Sequence, residues 1–318
     1  MQESGMESGT RLPVILVATD LNDLDRLMPF VLREATESTA RIILLHVLPA
    51  GGGMAIDPIG MPYYDPTSAI ESATVALEPW RRLARKRNIL CDMLVREGSA
   101  AQQIAACSRQ FQADCVFLGT RSRSKISKLL LGSVAEQVLR SVNLPVMTVG
   151  PEAHLPVESS DPQRVVLHAT TLGETSRPSA ALACQIAASH HAKLVLLHVM
   201  PRGYEAEAGA LGSGQDLAML RELHILASQI ANDARGCSGQ VEARVAHGHP
   251  AIEILAASAD LNANLIVLGS THRSTLQNLT RDRTVYRVLA HARCPVLTLR
   301  EPVPISPTKD AEQIAAHL

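Results

Sequence analysis

Val14–Asp23 reads VILVATDLND, and Val165–Glu174 reads VVLHATTLGE. Each is an apolar run that ends at Ala-Thr and gives way to a polar turn. The same correspondence continues along the chain. Arg41–Pro49 (RIILLHVLP) matches Lys193–Pro201 (KLVLLHVMP), Asp114–Thr120 (DCVFLGT) matches Asn264–Ser270 (NLIVLGS), and Leu144–Val149 (LPVMTV) matches Cys294–Leu299 (CPVLTL), all at an offset of about 150 residues. Four matches in one order mean two copies of one domain. The expected domains are residues 11–150 and 163–301, and Gly150–Gln163 (GPEAHLPVESSDPQ) has the Pro, Ser and acidic composition of a linker between them.

Within each copy, short β-branched and leucine runs alternate with longer stretches of helical period, which makes the fold α/β. Val14–Thr19 and Ile42–Val47 are continuous apolar runs, as strands covered on both faces of a parallel sheet require. Leu24, Leu27, Met28 and Val31 recur at helical spacing after the polar Asn22-Asp23 start. A second helix is expected over Ala69–Asn88, kinked or split at Pro79, and a third strand over Cys91–Arg96. Helix Ala100–Gln112, strand Cys115–Leu118, helix Ser133–Val142 and strand Val146–Val149 complete the copy. Each domain is therefore predicted to be an open, doubly wound sheet of five parallel strands with helices on both faces. Ligands then belong at the carboxyl ends of the strands.

Composition narrows the function. The 318 residues carry 30 Lys+Arg against 31 Asp+Glu, a formal net charge of −1, which argues against a nucleic-acid or membrane-surface binder. Aromatic residues make up only 3%, too few for base-stacking platforms. The six cysteines show no CxxC pairing and are expected to be reduced thiols. The polar first residues and the lack of any run of 18 apolar residues lead to the expectation of a soluble, cytoplasmic protein.

The strand ends can be read directly. Asp20 follows the first strand, Val47-Leu48 closes the second and Gly119 closes the fourth. After Gly119 come Thr120, Arg121 and Ser122, and the loop returns to Gly132-Ser133 at a helix start. Such a loop can present backbone N–H groups, a hydroxyl and a positive dipole end to a phosphate. With these residues the chain resembles the universal stress proteins in their tandem-domain form, over nearly its whole length. The family's phosphate signature is Gly, two residues, Gly, nine residues, then Gly-Ser or Gly-Thr. Here Gly119, Gly132 and Ser133 match it, while Ser122 stands in place of the middle Gly. The resemblance implies a Rossmann-type sheet of the adenine-nucleotide alpha-hydrolase kind. It implies that Asp20 and the backbone around Val47 hold adenosine, that Gly119, Gly132 and Ser133 meet the phosphates, and that the ligand is ATP or a related adenine nucleotide, with or without Mg2+; Arg121 and Ser122 of the same loop are further candidates for the phosphate site.

The second copy departs from this pattern. Thr171 stands where Asp20 is, His272 where Ser122 is, and Asp282-Arg283 where Gly132-Ser133 are. An Asp at the helix N-terminus supplies its own anion to the dipole and repels a phosphate. His247-Gly248-His249 follows the third strand of the second copy, where the first has Glu97-Gly98-Ser99, so turn and cap geometry explains it better than a metal site. His46 and His198 both sit in Leu-Leu-His-Val and read as packed, hydrogen-bonded histidines rather than catalytic bases. GALGSG (residues 209–214) lacks the dinucleotide fingerprint and reads as a flexible segment. The basic runs at Arg81–Arg87 and Arg121–Lys128 read as a solvated helix face and as charge within the phosphate loop. Pro49–Ser68, rich in Gly and Pro, is long enough to be a flap over a bound nucleotide.

No nucleophile and base pair, Walker lysine or metal cluster is recognisable. The resulting expectation is a stress-response regulator that binds an adenine nucleotide in its first domain, the second domain being structural. A scaffold that binds no nucleotide and a weak ATPase are the alternatives. The two halves are expected to pair through their last strands as a pseudo-dimer, a homodimer of the whole chain being left open, with no nucleic-acid or membrane partner.

Overall fold

The computed structural model describes residues 11–51, 54–56, 59–120, 131–155, 163–200, 212–233, 241–270 and 279–301. The chain divides into two units, the first reaching Leu155 and the second running on from Pro156.

The first unit runs β1 (Val14–Thr19), α1 (Leu24–Glu37), β2 (Arg41–Leu48), β3 (Met54–Ile56), β4 (Pro62–Tyr64), α2 (Pro66–Lys86), β5 (Cys91–Glu97), α3 (Ala100–Gln110), β6 (Cys115–Gly119), α4 (Ser133–Ser141) and β7 (Val146–Val149). Five strands form a parallel sheet in the order β7-β6-β1-β2-β5. Every residue of β1 is buried, as a central strand between two helical layers must be. The chain winds outward from β1 through β2 to β5 and then returns to β6 on the other side of β1. The winding direction therefore reverses between β1 and β6, and a crevice opens at the carboxyl ends of those two strands.

The second unit repeats the pattern with β8 (Val165–Ala169), α5 (Arg177–Ser189), β9 (Lys193–Met200), α6 (Gly212–Asp233), β10 (Val241–His247), α7 (Pro250–Asp260), β11 (Leu265–Ser270), α8 (Leu279–His291) and β12 (Val296–Arg300). Its sheet is also parallel, ordered β12-β11-β8-β9-β10. Equivalent side chains start the two central strands. Asp114 accepts the Val14 N–H at 2.8 Å, and Asn264 accepts the Val165 N–H at the same distance.

The structure departs from the expectations or adds to them at three points. Helix α2 is continuous through Pro79. The missing proline N–H would have bonded the carbonyl of Val75, which is 72% exposed, so water can take that acceptor. The Gly/Pro-rich stretch after β2 contains an antiparallel hairpin, β3 with β4, registered at Ala55 and Tyr63. The thiols are not all reduced: Cys184 is in a disulfide, whereas Cys91, Cys107, Cys115 and Cys294 are free. Among the described residues, no helix is long and apolar enough to cross a membrane.

Candidate functional site

The turn after β1 is built by two local hydrogen-bond motifs. The Thr19 hydroxyl accepts the Leu21 N–H at 2.9 Å, and the Asp20 carboxylate accepts the Asn22 N–H at 2.9 Å. These bonds hold Leu21 in the left-handed region at φ 71°. The second unit repeats the turn with Thr170 and Leu172, the latter at φ 64°. The histidines also correspond, since Nδ1 of His46 meets the Thr19 carbonyl and Nδ1 of His198 meets the Thr170 carbonyl, each at 2.9 Å. Both rings are half-buried, and His46 also lines the cleft, so it is not purely a core residue.

Between the ends of β1, β2 and β6 and the starts of α3 and α4 lies a cleft of about 210 Å³. Asp20, Val47, Gly119, Gly132 and Ser133, five residues picked from the sequence, all line it. Arg121 and Ser122 lie outside the described residues, as does His272 of the second unit. Strand β2 runs past the end of β1, whose last residue Thr19 pairs with His46. On that edge the backbone at Val47 has no neighbouring strand. Ala100 and Ile104 of α3 add an apolar wall.

The helix start differs in detail from the expectation. Gly132 donates its N–H to the Thr120 carbonyl at 2.9 Å, so that amide is not open to a ligand. The donors left without an intrahelical partner at the start of α4 are those of Ser133, Val134 and Ala135, three residues that line the cleft. The Gly132 φ of −60° lies outside the left-handed region, so the position does not call for a glycine's backbone freedom. In the second unit, helix α8 begins at Leu279 and is already in its second turn at Arg283, the counterpart of Ser133. The amides equivalent to the cleft donors are therefore drawn into intrahelical bonds. The Thr171 hydroxyl, at the Asp20 position, is paired with the Ser176 hydroxyl at 2.8 Å.

The sequence reading missed one residue of the cleft. Asp23 reads in the sequence only as a helix start, yet it is 8% exposed, lines the cleft and accepts the Thr19 hydroxyl at 2.5 Å. Burial raises its pKa above the usual carboxylate range, and the charge of Asp20 pushes the same way, against the Thr19 hydrogen bond and the Arg26 charge. No sequence signal marked Asp23, because Asp before a helix reads as an ordinary N-cap. Other motifs have structural roles. His247 pairs with Asp216 at 2.8 Å, and His249 occupies the N-cap position of α7. None of the described residues of the hairpin lines the cleft.

Comparisons with known proteins bear on the family and the fold. A model of the universal stress protein family matches residues 13–150 and again 163–300. A universal stress protein of Methanocaldococcus jannaschii is 29% identical over 79 residues, which is 25% of this chain and 46% of that relative. The chain thus spans under half the length of that curated relative. Among solved structures, a universal stress protein from Archaeoglobus fulgidus superposes with a TM-score of 0.68 at 20% identity, covering 90% of this chain and 98% of the other. A functionally unknown protein from Pseudomonas aeruginosa superposes with a TM-score of 0.59 at 16% identity, covering 96% and 98%. At these identities the superpositions establish the fold.

Proposed function

The chain belongs to the universal stress protein family, and from that premise we propose that it is a stress-response regulator that binds ATP or a related adenine nucleotide in the cleft of its first unit. The second unit serves the fold and the assembly. The observation that carries this reading is the convergence of Asp20, Val47, Gly119, Gly132 and Ser133 on one cleft whose helix start has open amide donors.

Each group has a role that its geometry suits. One Asp20 oxygen is occupied by the Asn22 amide, and the other is an acceptor for the hydroxyls of a ribose. The unpaired backbone edge at Val47 can read the polar rim of adenine, and Ile104 offers its face an apolar surface. The amides of Ser133, Val134 and Ala135, at the positive end of the α4 dipole, suit a phosphate. Mg2+ would balance the charge of a polyphosphate held there. Such a site suits binding and reporting a ligand.

The test is the nucleotide content of the purified protein, read by mass spectrometry after denaturation, followed by calorimetry with ATP and AMP. Copurified adenine nucleotide, or binding in the micromolar range, supports the reading. Protein that is empty as purified and binds neither compound is the scaffold of the alternative reading.

A further inference from the structure

Three polar groups crowd the end of β6: the buried Asp23 carboxyl, the half-buried Arg26 and the buried Thr120 hydroxyl. A Cβ placed on Gly119 would run into Asp23 Oδ2 and come within 3.1 Å of Arg26 Nη2, so the carboxyl and the guanidinium both lean on the same backbone atom. Arg26 Nε is buried and makes no hydrogen bond among the described residues, and the hydroxyl of Thr120, 3% exposed, makes none either. Buried polar atoms are normally paired, so unpaired ones gathered at one strand end indicate that something else completes them.

Within this cluster Asp23 is the group whose charge conflicts with a phosphate. The conflict is local, because the carboxyl touches Gly119 and lines the cleft that holds the open α4 amides. The ionisable and polar groups around it can be named. Asp20 in the same turn is a like charge and Arg26 on α1 an opposite one, with Asp25 on α1 exposed to solvent. From β2, His46 reaches only the Thr19 carbonyl; β6 contributes Gly119, and α4 contributes the Ser133 hydroxyl. No second cation closes on the carboxyl among the described residues.

We propose that Asp23 sets which ligand charge the cleft accepts, its carboxyl taking up one proton from solvent when a nucleotide phosphate settles beside Gly119. This rests on the nucleotide reading above. Binding a phosphate next to an ionised Asp23 brings like charges together in a poorly hydrated site, and protonation removes the repulsion while leaving the carbonyl oxygen to accept the Thr19 hydroxyl. The ionised form discriminates most against the more highly charged ligand, so Asp23 disfavours ATP relative to AMP as pH rises.

The experiment is isothermal calorimetry on the full-length protein with AMP and with ATP, at pH ~6 and ~7.5, in buffers of different ionisation heat so that proton uptake is measured directly. Asp23→Asn keeps the shape and the acceptor oxygen but cannot titrate. Ionisation of the phosphates themselves is common to both proteins, so the difference isolates Asp23. The expected result is greater proton uptake in the unmodified protein than in D23N, with D23N binding roughly tenfold tighter at the higher pH and gaining more for ATP than for AMP. Thr19→Val removes the hydroxyl that favours the carboxylate and should move the fall in affinity to higher pH, a readout that survives even if D23N folds poorly. Equal proton uptake and equal affinities in the unmodified protein and D23N would overturn the proposal while leaving nucleotide binding intact. Failure of both proteins to bind either nucleotide would overturn the nucleotide reading itself, and this inference with it.

Discussion

Gly132 donates its backbone N–H to the carbonyl of Thr120 at 2.9 Å, tying the end of β6 to the start of α4. The bond fixes where the open amides of Ser133, Val134 and Ala135 stand relative to the strand ends. It also makes Gly132 a sharp test position. Its φ of −60° suits any residue, and Asp is a favoured N-cap, so Gly132→Asp should fold with unchanged or slightly raised stability.

Ligand binding should separate from folding in that variant. ATP at about 100 times its dissociation constant adds roughly 2.7 kcal/mol to the unmodified protein. For a unit of this size each kcal/mol is worth about 2 to 4 °C. A melting shift of this order is expected with Mg-ATP, and none in G132D, where a carboxylate sits at the anion position. A shift of equal size in both would show that the α4 start does not meet the ligand.

Gly119→Ala is expected to destabilise the first unit by about 1 to 3 kcal/mol in urea unfolding, because its new methyl group meets the Asp23 carboxyl, which Thr19 holds in place. Removing that carboxyl should restore much of the loss. In an Asp23→Ala background, the G119A cost should fall by roughly 0.5 to 3 kcal/mol, the coupling typical of side chains in contact. Additive effects would mean that the two residues do not share this space.

Acid should weaken the second unit through His168. This side chain is fully buried at the position of Val17 in the first unit, with Nδ1 on the Val267 carbonyl at 3.1 Å and Nε2 without a partner. Burial pushes its pKa from 6.5 down to about 4. The unfolded chain therefore binds the proton more readily, and stability is full above about pH 6.5 and declines as pH falls toward 4. The loss at pH ~5 should be about 2 kcal/mol by urea denaturation. His168→Val should remove that part of the pH dependence; an unchanged profile would assign the acid sensitivity to other groups.

One nucleotide per chain is the expected stoichiometry. In the second unit α8 starts early, and Thr171, paired with Ser176, stands where the first unit has an acid. Thr171→Asp alone should not create a second site, because it leaves the overrunning helix untouched. Calorimetry yielding two sites per unmodified chain would show that the second site is altered rather than lost.

Several features of this protein were legible in the sequence because they depend on local pattern. The internal repeat, the parallel α/β character of each half and the limits of β1 and β7 follow from apolar runs, and the five cleft residues from the strand ends and the Gly-Ser helix start that carry the family resemblance. Other features depend on groups distant in sequence. Asp23 became part of the site only because α1 brings it against Gly119, nearly a hundred residues away, and no periodicity encodes that approach. Whether Pro79 splits α2 depends on whether the freed carbonyl faces water, a matter of which side of α2 is buried. The loss of donor amides in the second unit follows from where α8 begins. That is set by competition between a helix and a loop, and tertiary packing decides it more than single-residue preference does.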